Sequence, residues 1–297
     1  MVDDGAGGGR AADTALRRTY RYLRLGVAAT VVAIAVAVTL ESRRGGLLES
    51  ISAYYYTPAR DVLVGALIAG SLGLLALSGR GVQRALLDAA ALLAPLVAVV
   101  PTPTLGSGCG ATACVPASAH LSVDNGVATY LVVGALAVVV AVVVGTRADA
   151  GQAALARTWP SIALAVAVLT ATWAWWGLAR TSFLGFGHLV AATGFFALLA
   201  AVALIDAGRS DWAPEQPPAR GVRVAYAVVG VLLAVDLTVV ISVVAIMGDA
   251  AMRTPLVFVG EVVALVLFGL YWVLQTVGTW SSADPRLAVS GPGRPRR

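Results

Sequence analysis

Eight apolar runs dominate this chain, and each is close to the roughly 20 residues that a membrane-spanning helix needs. They fall near residues 25–40, 62–77, 86–101, 127–144, 160–178, 189–205, 224–247 and 256–277. In lipid a backbone cannot bond to water, so each run must satisfy its own N–H and C=O groups, and a helix does this alone. The expected fold is all-α: a polytopic membrane bundle of eight transmembrane helices. Only 12% of the residues are charged, about half the fraction of a soluble domain. The first run has the length of a signal peptide, but seven more spans follow it, so it reads as an uncleaved first span.

Residues 1–20 are rich in Gly, Ala and Asp and then basic, which predicts an unstructured tail ending in the cationic anchor Arg17, Arg18, Arg21 and Arg24. Residues 21–280 form the expected eight-span domain, and 281–297 a second polar, Pro/Arg-rich tail.

All 21 basic residues are Arg. With no Lys, Schiff-base chemistry and a Lys nucleophile are excluded. Placing the N-terminus in the cytoplasm leaves only Arg43, Arg44, Arg60, Arg180 and Arg253 in outer segments, and every other Arg in inner ones. That asymmetry is what the positive-inside rule requires, with both termini cytoplasmic. It also accounts for the net charge of +5 without nucleic acid. The Ala/Arg/Gly/Val bias fits a high-GC bacterial genome, so the expected location is a bacterial plasma membrane. Small residues at helical spacing, Ala66/Gly70 and Gly230/Ala234, predict close helix packing.

The polar residues gather on the predicted outer side. Ser50–Gly65 reads SISAYYYTPARDVLVG and holds Tyr54, Tyr55, Tyr56 and the pair Arg60–Asp61. Pro58 suits a helix start, and Asp61 in the first turn suits the helix dipole. Arg60, on the side disfavoured for Arg, calls for a partner: Asp61, Glu49 or a lipid phosphate. Three consecutive tyrosines diverge on any helix or strand, so at least one points inward. His188 opens the sixth span, and His120 precedes the fourth. Cys109 and Cys114 lie in an outer loop without Arg. They suit a small disulfide loop, and the other reading is two free thiols or metal ligands.

Asp236 sits near the middle of the seventh span and Glu261 in the outer half of the eighth. A carboxylate at such depth is costly and usually faces a bundle interior or a cavity. Reflection about the short connecting loop sets the two about 7–8 Å apart in depth. They either carry protons in a shared cavity or stay as protonated carboxyls bonded to a neighbouring helix near Thr238 or Ser242. Asp88 and Asp206 lie near span ends, beside Arg84 and Arg209, and read as interfacial charges.

Two stretches carry a family resemblance: Ser50–Gly65 with the span that ends in AVVPT, and His188 followed by Ala192, Phe195 and Phe196. Together they resemble an uncharacterised group of bacterial polytopic membrane proteins, similar in flavour to the DRAM/Frag/Sfk set. Leu63 stands where that set more usually has an aromatic residue, and eight spans exceed its usual number. The resemblance implies a membrane bundle and no particular reaction.

The functional expectation is binding or transport of a lipid or small solute through an outward-facing polar pocket. Its expected components are Tyr54, Tyr55, Tyr56, Arg60, Asp61, His188 and Glu261, with Asp236 deeper as a proton-linked carboxylate. Membrane lipid, a small solute or protons are the expected partners. One alternative is a metal-dependent lipid hydrolase using His120 and His188, although no HxxxH, HExxH or HxxE spacing is present. Another is a non-catalytic envelope or scaffold protein, for which no cavity joins the polar residues. An enzyme is the less favoured class. No cofactor is expected, because there is no Gly-rich phosphate loop and the two His form no obvious haem pair.

Overall fold

The computed structural model describes residues 4–78, 81–106, 108–110, 112–147, 151–208 and 220–278. Arg209, expected beside Asp206, and the C-terminal tail 281–297 lie outside the described residues. Among the described residues eight helices are long and apolar enough to cross a membrane, and the chain is a multi-pass integral membrane protein with an all-α bundle. The helices are α1 (Asp4–Gly45), α2 (Arg60–Leu77), α3 (Gly81–Val99), α4 (Ala117–Arg147), α5 (Gly151–Leu178), α6 (Arg180–Gly208), α7 (Arg220–Met247) and α8 (Leu256–Gly278). Two 3-10 turns, Ser52–Tyr56 and Gly248–Arg253, join α1 to α2 and α7 to α8. Helix α1 starts within the segment expected to be a tail.

Six helices close a ring. Its neighbours run α1–α2, α2–α3, α3–α6, α6–α7, α7–α8 and α8–α1. The α4–α5 hairpin stands outside this ring, against α3 and, through α5, against α6. The main apolar core fills one part of the ring around Leu74, Leu87, Phe195, Tyr226, Phe268 and Trp272. Of the small residues singled out by their spacing, Gly230 makes a close helix approach, and Gly73, outside those pairs, makes another. A Cβ on Gly230 of α7 would lie 2.7 Å from Leu204 Cγ on α6, and one on Gly73 of α2 would lie 2.4 Å from Val27 Cγ2 on α1. Ala66 is buried, whereas Ala234 is exposed.

Two prolines shape α3. Pro95 lacks the N–H that would bond the Ala91 carbonyl one turn back. The Ser71 hydroxyl of α2 donates to that carbonyl instead, at 2.7 Å. Pro101 then ends the helix, and the Val100 carbonyl, just past its last turn, is left for a side chain to take.

An even number of crossings returns the chain to the side where it began. The two 3-10 turns, the α3–α4 loop and the short α5–α6 connection therefore share one end of the bundle. In the α3–α4 loop Cys109 and Cys114 are bonded to each other, with Cα atoms 5.5 Å apart. Thr104 and Cys114 pair as a small antiparallel bridge beside them. We call this the disulfide end.

Candidate functional site

A cleft of about 360 Å³ opens between α6, α7, α8 and the Gly248–Arg253 turn at the disulfide end. His188 of α6, Asp236 of α7 and Glu261 of α8 all line it, with Asp249 at its mouth. A second, smaller cavity of about 80 Å³ lies inside the six-helix ring, and its walls are almost wholly apolar. The two share His188, Ala192, Phe196 and Glu261 as a common wall.

The sequence expected His188 to open its span, but α6 begins eight residues earlier, directly after α5. In lipid a helix leaves no peptide group bare, so SFLGFG continues the helix despite its glycines. His188 is 5% exposed. Its Nδ1 lies 2.7 Å from the Val100 carbonyl, whose helical donor, the Thr104 N–H, bonds the Cys114 carbonyl instead. A carbonyl only accepts, so Nδ1 carries the hydrogen. In the neutral ring Nε2 is then a lone-pair acceptor, and it is buried with no hydrogen-bond partner.

Glu261 does not stand free in the cleft. Its Oε2 accepts the backbone N–H groups of Ile51 and Ser52, and its Oε1 accepts the Ser52 hydroxyl at 2.9 Å. These are the orphan donors at the start of the Tyr-rich turn, which no residue of the turn itself caps. The carboxylate thus caps the turn from α8, three of its roughly four acceptor positions being used.

Asp236 is half-buried and reaches α8 at its closest approach. One carboxylate oxygen lies 3.6 Å from where a Gly260 Cβ would be, and Val240 Cγ2 lies 2.3 Å from the same point. Neither Thr238 nor Ser242 bonds it. Both hydroxyls turn back onto their own helix, to the Ala234 and Thr238 carbonyls. Gly260→Leu is therefore expected to wedge α7 from α8 and cost about 1–3 kcal/mol. Thermal unfolding of the detergent-purified protein would read this. Gly269→Ala, whose Cβ would meet Val31 at an ordinary 3.5 Å, should leave the midpoint unchanged.

The Tyr-rich stretch is brought to the disulfide end but not into the cleft. Tyr54 is fully buried, and its hydroxyl bonds Ser42 of α1 and the Leu48 N–H. Tyr56 donates to the Thr102 carbonyl at 2.8 Å. Burial pushes its phenol well above its usual range, so it stays a donor. Tyr55 is also raised, by burial above all. It receives Arg60 Nη2 at 2.7 Å, with the guanidinium carbon 4.3 Å from its ring centre. Arg60 therefore has a tyrosine as its partner. Asp61 is exposed, and Glu49 instead accepts the Thr104 hydroxyl. The stretch ties α1, α2, the α3–α4 loop and α8 together and closes the inner cavity through Ile51 and Ser52.

His120 bonds the Val115 carbonyl, outside the cleft. Among the described residues no three His, Cys, Asp or Glu side chains are grouped as a metal site. Asp88 pairs with Arg84 at 3.5 Å, and at 9% exposed it is buried rather than a snorkelling surface charge. Asp206 is likewise buried, at 0% exposed, rather than interfacial. It accepts from Gln83 of α3 and from Tyr271 and Gln275 of α8. Sequence order hides this cluster, because its members come from three distant helices.

No protein-family model, curated protein or solved structure matches the chain.

Proposed function

We propose that this is a bacterial plasma-membrane protein that binds or moves a small solute or lipid through the α6–α7–α8 cleft, which opens outward. The observation that carries the reading is the convergence of His188, Asp236 and Glu261 from three helices on one cleft. Its volume lies within the roughly 300–1,000 Å³ of ordinary ligand pockets. The Arg asymmetry supports an outward mouth and cytoplasmic termini. A scaffold has no use for a cavity joining its costly polar groups, and this cleft joins three of them.

A single introduced thiol tests the reading, since the two native cysteines are bonded to each other. Leu237→Cys, in the cleft wall, is expected to react with a membrane-impermeant maleimide added to intact cells. Leu233→Cys, one turn away in the core, should not. Equal protection of both, or labelling of Leu237→Cys only after permeabilisation, would remove the outward-facing cleft.

A further inference from the structure

The ionisable side chains lining the cleft are one His and three carboxyls, beside the hydroxyls of Thr102 and Thr193. His188 Nε2 is an acceptor in the neutral ring, buried and without a partner. The Asp236 carboxylate has no hydrogen bond from its neighbours Thr238 and Ser242. Glu261 keeps residual acceptor capacity beside the three bonds it makes. Asp249 uses one oxygen on the Ala113 N–H and keeps the other. Among the described residues no Arg lines the cleft, and the chain has no Lys. An anion or a phosphate headgroup would meet carboxylates of its own sign and no guanidinium to offset them.

Asp236 comes from α7 beside Glu261, with one oxygen 3.6 Å from where a Gly260 Cβ would be, and His188 faces the same cleft from α6. Among the described residues no three His, Cys, Asp or Glu side chains are grouped as a metal site. Phe186 and Phe196 also line the cleft, and aromatic rings can attract a cation. The apolar inner cavity begins at the shared wall.

We propose that the cleft selects a small organic ammonium, a cation that donates N–H bonds and carries a short apolar body. This rests on the cleft being a binding site, and it adds the chemical class of what binds there. The ammonium donates to Asp236 and to His188 Nε2, and the apolar body lies along Ala192 and Phe196 towards the inner cavity.

Three six-carbon probes that differ only in their polar group test this: hexylammonium, hexanoate and hexanol. Each is titrated against the full chain in nanodiscs, with the thermal unfolding midpoint as readout. Hexylammonium is expected to raise the midpoint saturably, and hexanoate and hexanol are not. Asp236→Asn should raise the half-saturating hexylammonium concentration at least about tenfold, the loss of one charge-assisted hydrogen bond. Should Asp236→Asn fail to fold, Thr193→Trp, which fills the cleft from α6, should abolish the shift. Equal shifts from all three probes that Thr193→Trp removes would overturn the ammonium preference while keeping the cleft as a binding site. A hexylammonium shift that neither substitution changes, or no shift with any probe, would overturn the proposal outright. Maleimide protection of Leu237→Cys is a separate result and would remove the cleft reading itself.

Discussion

Asp206→Ala is expected to lower the thermal midpoint of the purified protein by on the order of 10 °C. The carboxylate is fully buried and accepts from Gln83, Tyr271 and Gln275, with both Gln83 contacts near 3 Å and the Gln275 bond at 2.6 Å. Removing it takes an acceptor from Gln83, Tyr271 and Gln275 on two other helices, although Gln275 also donates to Tyr271. A buried donor that loses its acceptor costs about 1–3 kcal/mol. Breaking one side of a buried charged network costs about 3–5 kcal/mol in total. The matched control is Asp88→Ala. Asp88 is itself buried, but it pairs with Arg84, whose side chain is partly exposed, so a smaller drop is expected. A drop for Asp206→Ala no larger than that for Asp88→Ala would sink the cluster as the clamp between α3, α6 and α8.

Glu261→Ala is expected to unlatch the Tyr-rich turn. It leaves the Ile51 and Ser52 amides and the Ser52 hydroxyl without their acceptor. The local loss is roughly 3 kcal/mol, which corresponds to a hundredfold or greater rise in opening. Amide hydrogen exchange followed by mass spectrometry should show that rise at residues 50–56 while α4 stays unchanged. Glu261→Gln keeps a carbonyl oxygen for the two amides and should lie between Ala and wild type. Unaltered exchange at residues 50–56 in Glu261→Ala would mean that Tyr54 and Tyr56 hold the turn without help from α8.

The eight spans were legible because hydropathy is a property of consecutive residues, and lipid enforces it. Their ends were less so. His188 looked like the first residue of a span because Gly185 and Gly187 resemble a loop. Yet Gly187 is helical and lets Phe183 and Val100 approach to 3.4 Å of its missing Cβ. The nearness of Asp236 to Glu261 followed from reflection about a short loop, a local argument. The role of Glu261 did not, since its donors lie on the far side of the sequence. Asp206 was misjudged for the same reason. Position along a span says how deep a charge lies, but not which helices surround it. The tyrosines were correctly expected to diverge, and Tyr54 is the one that turns fully inward. Their bonds to Ser42, Thr102 and Arg60 carry no sequence signature.

Ring closure has a temporal side. Helix α8 seats against α1, and the cap on Ile51 comes from a residue 210 positions later in the chain. A ribosome adding about 5–20 residues per second takes roughly 10–40 s over that interval. For all of that time the Tyr-rich turn sits at the membrane surface with its first amides uncapped, and water or lipid headgroups must serve them. Only when the last helix inserts does the first one gain its final neighbour. A chain cut short before α8 would therefore lack more than its last helix: the segment between its first two spans would lose its cap.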